Sequence, residues 1–254
     1  HGDAFLDTDA LERERGITIF SKQAMLFAGD KEFTLLDTPG HVDFSAEMER
    51  TLSVLDYAVL VISGSDGVQS HTRTLWRLLT RYEVPTFLFI NKMDLAGADK
   101  DALLRQLTAT LSAECVDFST SQETRDEALA LCDEAALEQL LERGKIDDAL
   151  IAEMVKNRKV FPCFFGSALK LDGVEDFFTA LACFTREPVY PKEFGAKVFK
   201  ISRDAQGARL TWLKVTGGAL RVKASLTYRA QNQDYNEKAD QLRLYSGVKF
   251  RALE

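Results

Sequence analysis

Cysteine is scarce in this chain and never paired: Cys115, Cys132, Cys163 and Cys183 are its four thiols, far apart and without a C-x-x-C. That spacing gives neither a zinc ribbon nor a disulfide framework, so the four are read as reduced core thiols. Histidine is scarcer still, with three residues, so imidazole chemistry falls to His1, His41 or His71. No apolar run approaches the roughly 20 residues that a membrane-spanning helix needs. The opening "HGDAFLDTDALERERG" has neither the basic start nor the apolar middle of a signal peptide, which makes the cytoplasm the default setting. Internal repeats and low-complexity tracts are missing. So is G-x-x-x-x-G-K-[ST], the loop that cradles nucleotide phosphates.

What is present is a chain of 254 residues, 46% apolar, enough for the core of one large domain or two smaller ones. A net charge of -7 argues against a general polyanion binder. Arg13, Arg15, Arg221, Lys223 and Arg229 read as solvated surface charge.

Hydrophobic patterning sets the organisation. "GITIFSKQAMLFA" and "KEFTLLD" read as two strands joined by a turn at Gly29-Asp30, a hairpin. "HVDFSAEMERTLSVLD" places Phe44, Met48, Leu52 and Leu55 on one helical stripe. "YAVLVIS", "VPTFLFI" and "VFPCFF" are continuous apolar strands, and "HTRTLWRLLTRY" and "GVEDFFTALACF" are helices between or after them. That alternation predicts an α/β fold with a mostly parallel sheet covered on both faces. Residues 100–158 read as a helical insertion. After the linker "TREPVYPKEFG" the texture changes to alternating strands with Gly-rich turns, "FGAKVFKISRD", "ARLTWLKVTGGALRVKASLTY" and "ADQLRLYSGVKF", as in a β-barrel. The expected division is residues 1–188 and 189–254.

In a sheet of this kind ligands sit at the carboxyl ends of the strands. Three ends carry polar residues. Asp37-Thr38-Pro39-Gly40-His41 follows "FTLL", Asn91-Lys92-Met93-Asp94 follows "TFLFI", and Gly166-Ser167-Ala168 follows "FPCFF". Asp37 is a hard oxygen ligand suited to Mg²⁺, and Gly40 has no Cβ to keep its N–H from a phosphate oxygen. The same four residues also make an ordinary turn. Ionised Asp94 accepts only, so it matches the paired N1–H and N2–H₂ donors of guanine, which adenine lacks. The Lys92 stem suits the face of a base. Asn91 either bonds the base edge or braces neighbouring loops, and the bland alternative for the whole set is a capped helix start. Gly166-Ser167-Ala168 alone is simply a turn, and His71 is a helix-start residue.

As an ordered set these segments resemble the translational GTPases, the elongation factor G group that works on the ribosome. "ERERGITI", "DTPGHVDF", "NKMD" and "GSA" carry the likeness, which runs on into the barrel. The fold it implies is a P-loop-type GTPase domain followed by part of a second, β-barrel domain. By this resemblance Thr18 belongs to a switch segment and reaches Mg²⁺ and the γ-phosphate; Asp37 holds the metal through water; Gly40 senses the γ-phosphate. His41 orients the attacking water. Asn91, Lys92 and Asp94 read guanine, with Ser167 and Ala168 behind the base. The implied cofactors are GTP or GDP and Mg²⁺, the implied partner is the ribosome, and a monomer without membrane contact is expected.

In the family the P-loop lies upstream of "RGITI" and further domains follow the barrel, so this chain is expected to be a fragment of an enzyme inactive on its own. "TLSVLDYAVLVISGSDGVQSHTRTLW", the short insertion and "GAKVFKISRDAQGARLTWLKVTGGALRV" are similar to the ribosomal protection proteins of tetracycline resistance. An elongation factor G-type translocase or a release-factor-type GTPase is the alternative subfamily. A ribosome-binding relative that has lost nucleotide handling is the alternative of another class.

Overall fold

The computed structural model describes residues 22–38, 45–204, 206–230, 232–247 and 249–253. The chain divides into two units: 27–31 with 55–188, and the described residues among 1–26, 32–54 and 189–254.

The elements of the described residues begin with β1 (Lys22–Ala28) and β2 (Lys31–Asp37), hydrogen-bonded neighbours across the turn expected at Gly29-Asp30. Helix α1 (Ser45–Leu52) follows, with Met48 and Leu52 buried on the expected stripe.

The 55–188 unit is built on four parallel strands in the order β3-β4-β6-β5: β3 (Ala58–Ser63), β4 (Thr86–Asn91), β5 (Cys115–Asp117) and β6 (Phe161–Phe165). β4 and β6 are the central pair and their apolar residues are buried throughout, which is why they read as unbroken hydrophobic runs. Helix α2 (Ser70–Arg81) covers one face, its Trp76 meeting Phe161 edge-on at 4.7 Å. The other face is covered by α7 (Val174–Phe184), whose Phe177 packs edge-on against Phe89 at 5.2 Å and Phe164 at 5.3 Å. His71 lies in the first turn of α2, as expected, with both ring nitrogens shielded and no hydrogen-bond partner among the described residues.

Three expectations change. Among the described residues β3 is less covered than β4 and β6: Ala58, Leu60 and Ile62 are buried while Val59 and Val61 are exposed, and only β4 pairs with it. The 100–158 segment is not wholly helical, because β5 joins the sheet beside β6; three residues are too few to show a period. Only two of the thiols are core residues: Cys115 and Cys163 are buried, Cys132 is half-buried and Cys183 is exposed. Cys183 falls off the buried stripe of α7, which runs Phe177, Ala180, Leu181, Phe184. Burial pushes the Cys132 thiol up to about 11, so it stays protonated and unreactive at neutral pH.

The rest of the segment is α3 (Lys100–Thr110), α4 (Gln122–Ala130), α5 (Glu134–Arg143) and α6 (Asp148–Lys156). Asp99, Ser121 and Asp133 cap the first three through backbone N–H groups, as short acceptors at helix starts do. Asp126 ties the segment together. Its buried carboxylate accepts from Arg125 at 3.0 Å (Nε) and 2.8 Å (Nη2), and from the Ile146 amide at 3.1 Å. Asp126→Ala leaves the guanidinium and that amide unsatisfied, and is expected to cost about 3 kcal/mol in a denaturant titration. A loss below about 0.5 kcal/mol, the scale of an ordinary surface change, would mean that the network does not hold these helices.

The other unit carries three antiparallel strand pairs, as expected of a β-barrel domain: β7 (Gly195–Arg203) with β8 (Arg209–Gly217), β9 (Ser225–Ala230) with β10 (Gln233–Lys238), and β11 (Leu242–Ser246) with β12 (Lys249–Leu253). β10, with the polar sequence QDYNEK, escapes the hydrophobic pattern. Within this unit Trp212 packs on Tyr245 at 4.7 Å, the Gln23 carbonyl accepts from Gly247 N at 2.6 Å, and Lys214 Nζ donates to the Val54 carbonyl at 2.8 Å.

Candidate guanine-base site

Parallel pairing of β4 with β6 sets Ile90 opposite Phe165, so both chains leave the sheet side by side. That register brings Asn91-Lys92-Met93-Asp94 against Gly166-Ser167-Ala168, although the segments are far apart in sequence. The backbone stitches them together: Gly166 N donates to the Ile90 carbonyl and Met93 N to the Gly166 carbonyl, both at 3.0 Å.

Asn91 makes the loop contacts of one of its two readings through its side-chain oxygen. Its Oδ1 accepts from its neighbour's amide, Lys92 N, at 2.8 Å and from Ala168 N at 2.8 Å, so it braces the two loops. The first bond supports Lys92 in the left-handed region at φ 65°, a conformation that costs an L-residue on the order of 1 kcal/mol. The Lys92 side chain is exposed.

The buried Ser167 hydroxyl bonds the Asp94 carboxylate, and Lys170 Nζ lies 3.4 Å from its Oδ2. The Ser167 hydrogen bond first, and Lys170 with it, keep the Asp94 carboxyl below the usual carboxylate range. The carboxylate therefore stays ionised and acceptor-only at neutral pH, and loses that character only as pH falls through its depressed pKa.

Two glycines make the close approach possible. A Cβ on Gly166 would stand 2.2 Å from the Asp172 carbonyl, which pairs with Ser167 N at 3.0 Å to close the loop. On Gly64, just after β3, it would stand 2.8 Å from Met93 Sδ and 3.1 Å from the Asn91 carbonyl. Small side chains alone would not have marked Gly64 as part of the site, since it belongs to no motif.

Asn91, Lys92, Asp94, Ser167 and Ala168 are thus brought together at one rim. Asp37 stands at the carboxyl end of β2, half-buried, in the other unit. Thr18, Gly40 and His41 lie outside the described residues. Sequence reasoning missed Lys170, whose signal was its position three residues after Ser167.

The rim can offer an ionised acceptor beside an apolar stem, and the exposed Leu169, 90% accessible, adds apolar surface next to Ala168. That is a set suited to a flat base bearing two adjacent donors.

The chain is similar to several known proteins. The oxytetracycline resistance protein of Streptomyces rimosus is 34% identical over 254 aligned residues, covering 89% of this chain and 38% of that protein. Tetracycline resistance protein TetM of Streptomyces lividans is 34% identical over 260, covering 92% and 41%. TetO of Streptococcus mutans is 32% identical over 240, covering 87% and 38%. The chain therefore spans about two-fifths of the length of these relatives. A crystal structure of a protein from Thermus thermophilus shares the fold, with a TM-score of 0.82 at 22% identity over 98% of this chain and 44% of that one. The model of the family described as "Elongation factor Tu GTP binding domain" matches residues 1–187, nearly three-quarters of the sequence, and the chain belongs to that family.

Proposed function

We propose that this chain is the guanine-nucleotide-binding part of a ribosome-associated translational GTPase that hydrolyses GTP to GDP and phosphate and protects the ribosome from tetracycline. Residues 1–188 serve as the GTPase domain and 189–254 as part of a second, β-barrel domain. The observation that carries the reading is the two-loop rim in which Asn91 joins Lys92 and Ala168 while Ser167 fixes Asp94. An ionised carboxylate fixed in this way recognises the paired N1–H and N2–H₂ donors of guanine and disfavours adenine, whose N1 is an acceptor and whose C2 bears no amine. The named resistance proteins support the tetracycline-specific part.

Asp37 fits a role at Mg²⁺. Among the described residues no three His, Cys, Asp or Glu side chains gather into a metal cage. Asp37 is a hard oxygen ligand, and it would hold the ion through water together with Thr18. The ion would supply charge neutralisation for the phosphates. Gly40 would admit a terminal phosphate oxygen to its N–H, and His41 would orient the attacking water. Phosphoryl transfer asks for this kind of positioning more than for covalent chemistry.

Among the described residues no helix is long and apolar enough to cross a membrane. A cytoplasmic monomer, meeting ribosomal RNA and proteins through the complete protein, is the setting proposed.

The test is a GTPase assay on the complete protein with and without ribosomes, with ATP as competitor, followed by translation in vitro in the presence of tetracycline. Hydrolysis stimulated by ribosomes, unaffected by ATP, and rescue of translation are expected. Equal competition by ATP would overturn the base assignment, and hydrolysis indifferent to ribosomes would overturn the partner.

A further inference from the structure

We propose that Lys170 competes with the nucleotide base for Asp94 and so sets the affinity and the salt dependence of the base site. This rests on the assignment of Asp94 to guanine. Lys170 is tied into the site at both ends. Its amide donates to the Ser167 carbonyl at 3.1 Å and lies 3.4 Å from the Ser167 hydroxyl oxygen, while its ammonium stands 3.4 Å from Asp94 Oδ2. The loop is closed beyond it by Leu171 in the left-handed region, φ 60°, and by Asp172 N donating to the Ser167 carbonyl at 3.0 Å. The side chain is thus launched from a fixed point at the carboxylate that Ser167 already holds.

Guanine presents N1–H and N2–H₂ side by side, and pairing both with one carboxylate uses its two oxygens together. The Ser167 hydroxyl takes part of that acceptor capacity. An ammonium 3.4 Å from Oδ2 takes more and lowers the negative charge the incoming donors meet. Both cannot have the carboxylate in full. The Lys170 side chain is 63% exposed and that of Asp94 is 17% exposed, so water receives the displaced ammonium easily and the pair is worth little, on the scale of one surface ion pair. Lys170 therefore tunes the site without closing it, and salt, which screens an exposed pair, relieves the competition.

The probe is guanosine, which carries no phosphate and so has no charge of its own for salt to screen. Its affinity is read by displacement of a fluorescent GDP from the complete protein between about 50 and about 500 mM salt. Wild-type protein is expected to bind guanosine about two- to fivefold more tightly at the upper salt concentration. Lys170→Met, which keeps the stem, should bind more tightly at low salt by the same factor and show no salt response; Lys170→Arg should behave as wild type. Equal or weaker binding by Lys170→Met at low salt would overturn the proposal. Asp94→Asn, assayed beside it with guanosine and xanthosine, separates the two levels. If Asp94→Asn switches preference while Lys170→Met changes nothing, only the role of Lys170 falls. If Asp94→Asn still prefers guanosine, the base assignment falls, and the competition with it.

Discussion

Asp94→Asn, in the complete protein, is expected to abolish the preference for guanine nucleotides and to create one for xanthine nucleotides. Donors and acceptors on the two sides decide the outcome. Asp94 is ionised at neutral pH because the Ser167 hydroxyl and Lys170 hold its carboxyl below the usual range. An ionised carboxylate accepts from N1–H and N2–H₂ of guanine and has nothing to give. Asparagine replaces one acceptor by an NH₂ donor, which meets guanine N2–H₂ donor against donor but matches the C2 carbonyl of xanthine, while its oxygen still accepts from N1–H. Sites that read a base by buried hydrogen bonds discriminate by roughly 10⁴-fold when a partner is removed, so the reversal should be large. Competition of GDP and XDP for a fluorescent nucleotide checks it. The fold should survive, because amide and carboxylate have nearly the same shape and the Ser167 hydroxyl can bond either. Unchanged GDP affinity would remove Asp94 from the base site.

His41→Ala is expected to lower ribosome-stimulated GTP hydrolysis by about 10² to 10⁴-fold, the usual contribution of a positioned acid-base or water-orienting group, while GDP and GTP affinities stay within about twofold of wild type. The split between rate and binding is the informative part. Phosphate and base contacts are assigned to Gly40, Asp37 and the 91–94 and 166–168 loops, so an imidazole that acts only on the attacking water contributes to the transition state and not to the ground state. β2 delivers Asp37 at its carboxyl end, and His41 follows four residues later. If turnover is unchanged, the imidazole is a helix-start residue and the water is oriented by another group. If affinity falls together with rate, His41 serves nucleotide binding instead.

Much of the candidate base site was legible because its parts are short, ordered and placed at strand ends. A run such as "TFLFI", short and bounded by Pro85 and polar residues, fits a buried strand, and the polar tetrad after it then emerges at one edge of the sheet. The pairing of that tetrad with Ser167 and Ala168 was readable only by resemblance. Its physical basis is the β4–β6 register, and Asn91 Oδ1 reaching Ala168 N across 77 residues is not encoded in any local pattern. Lys170 was passed over for a related reason: an exposed lysine carries no periodic signal, and its ion pair exists only once the loop from Gly166 to Gly173 has folded back on itself. β5 and β10 escaped because one is too short and the other too polar for hydrophobic periodicity to register.

The sequence by itself determined the α/β class, the hairpin at Gly29-Asp30, the helices that face the sheet and the chemical types available at each strand end. These follow from side-chain periodicity and turn chemistry, which act over a few residues. Only the tertiary structure decided that β4 and β6 are neighbours, that Cys183 faces out, and that Asn91 braces loops while Ser167 and Lys170 share Asp94. Those outcomes depend on which distant segments bury their apolar faces against one another, a choice made by packing the whole sheet and its helices at once.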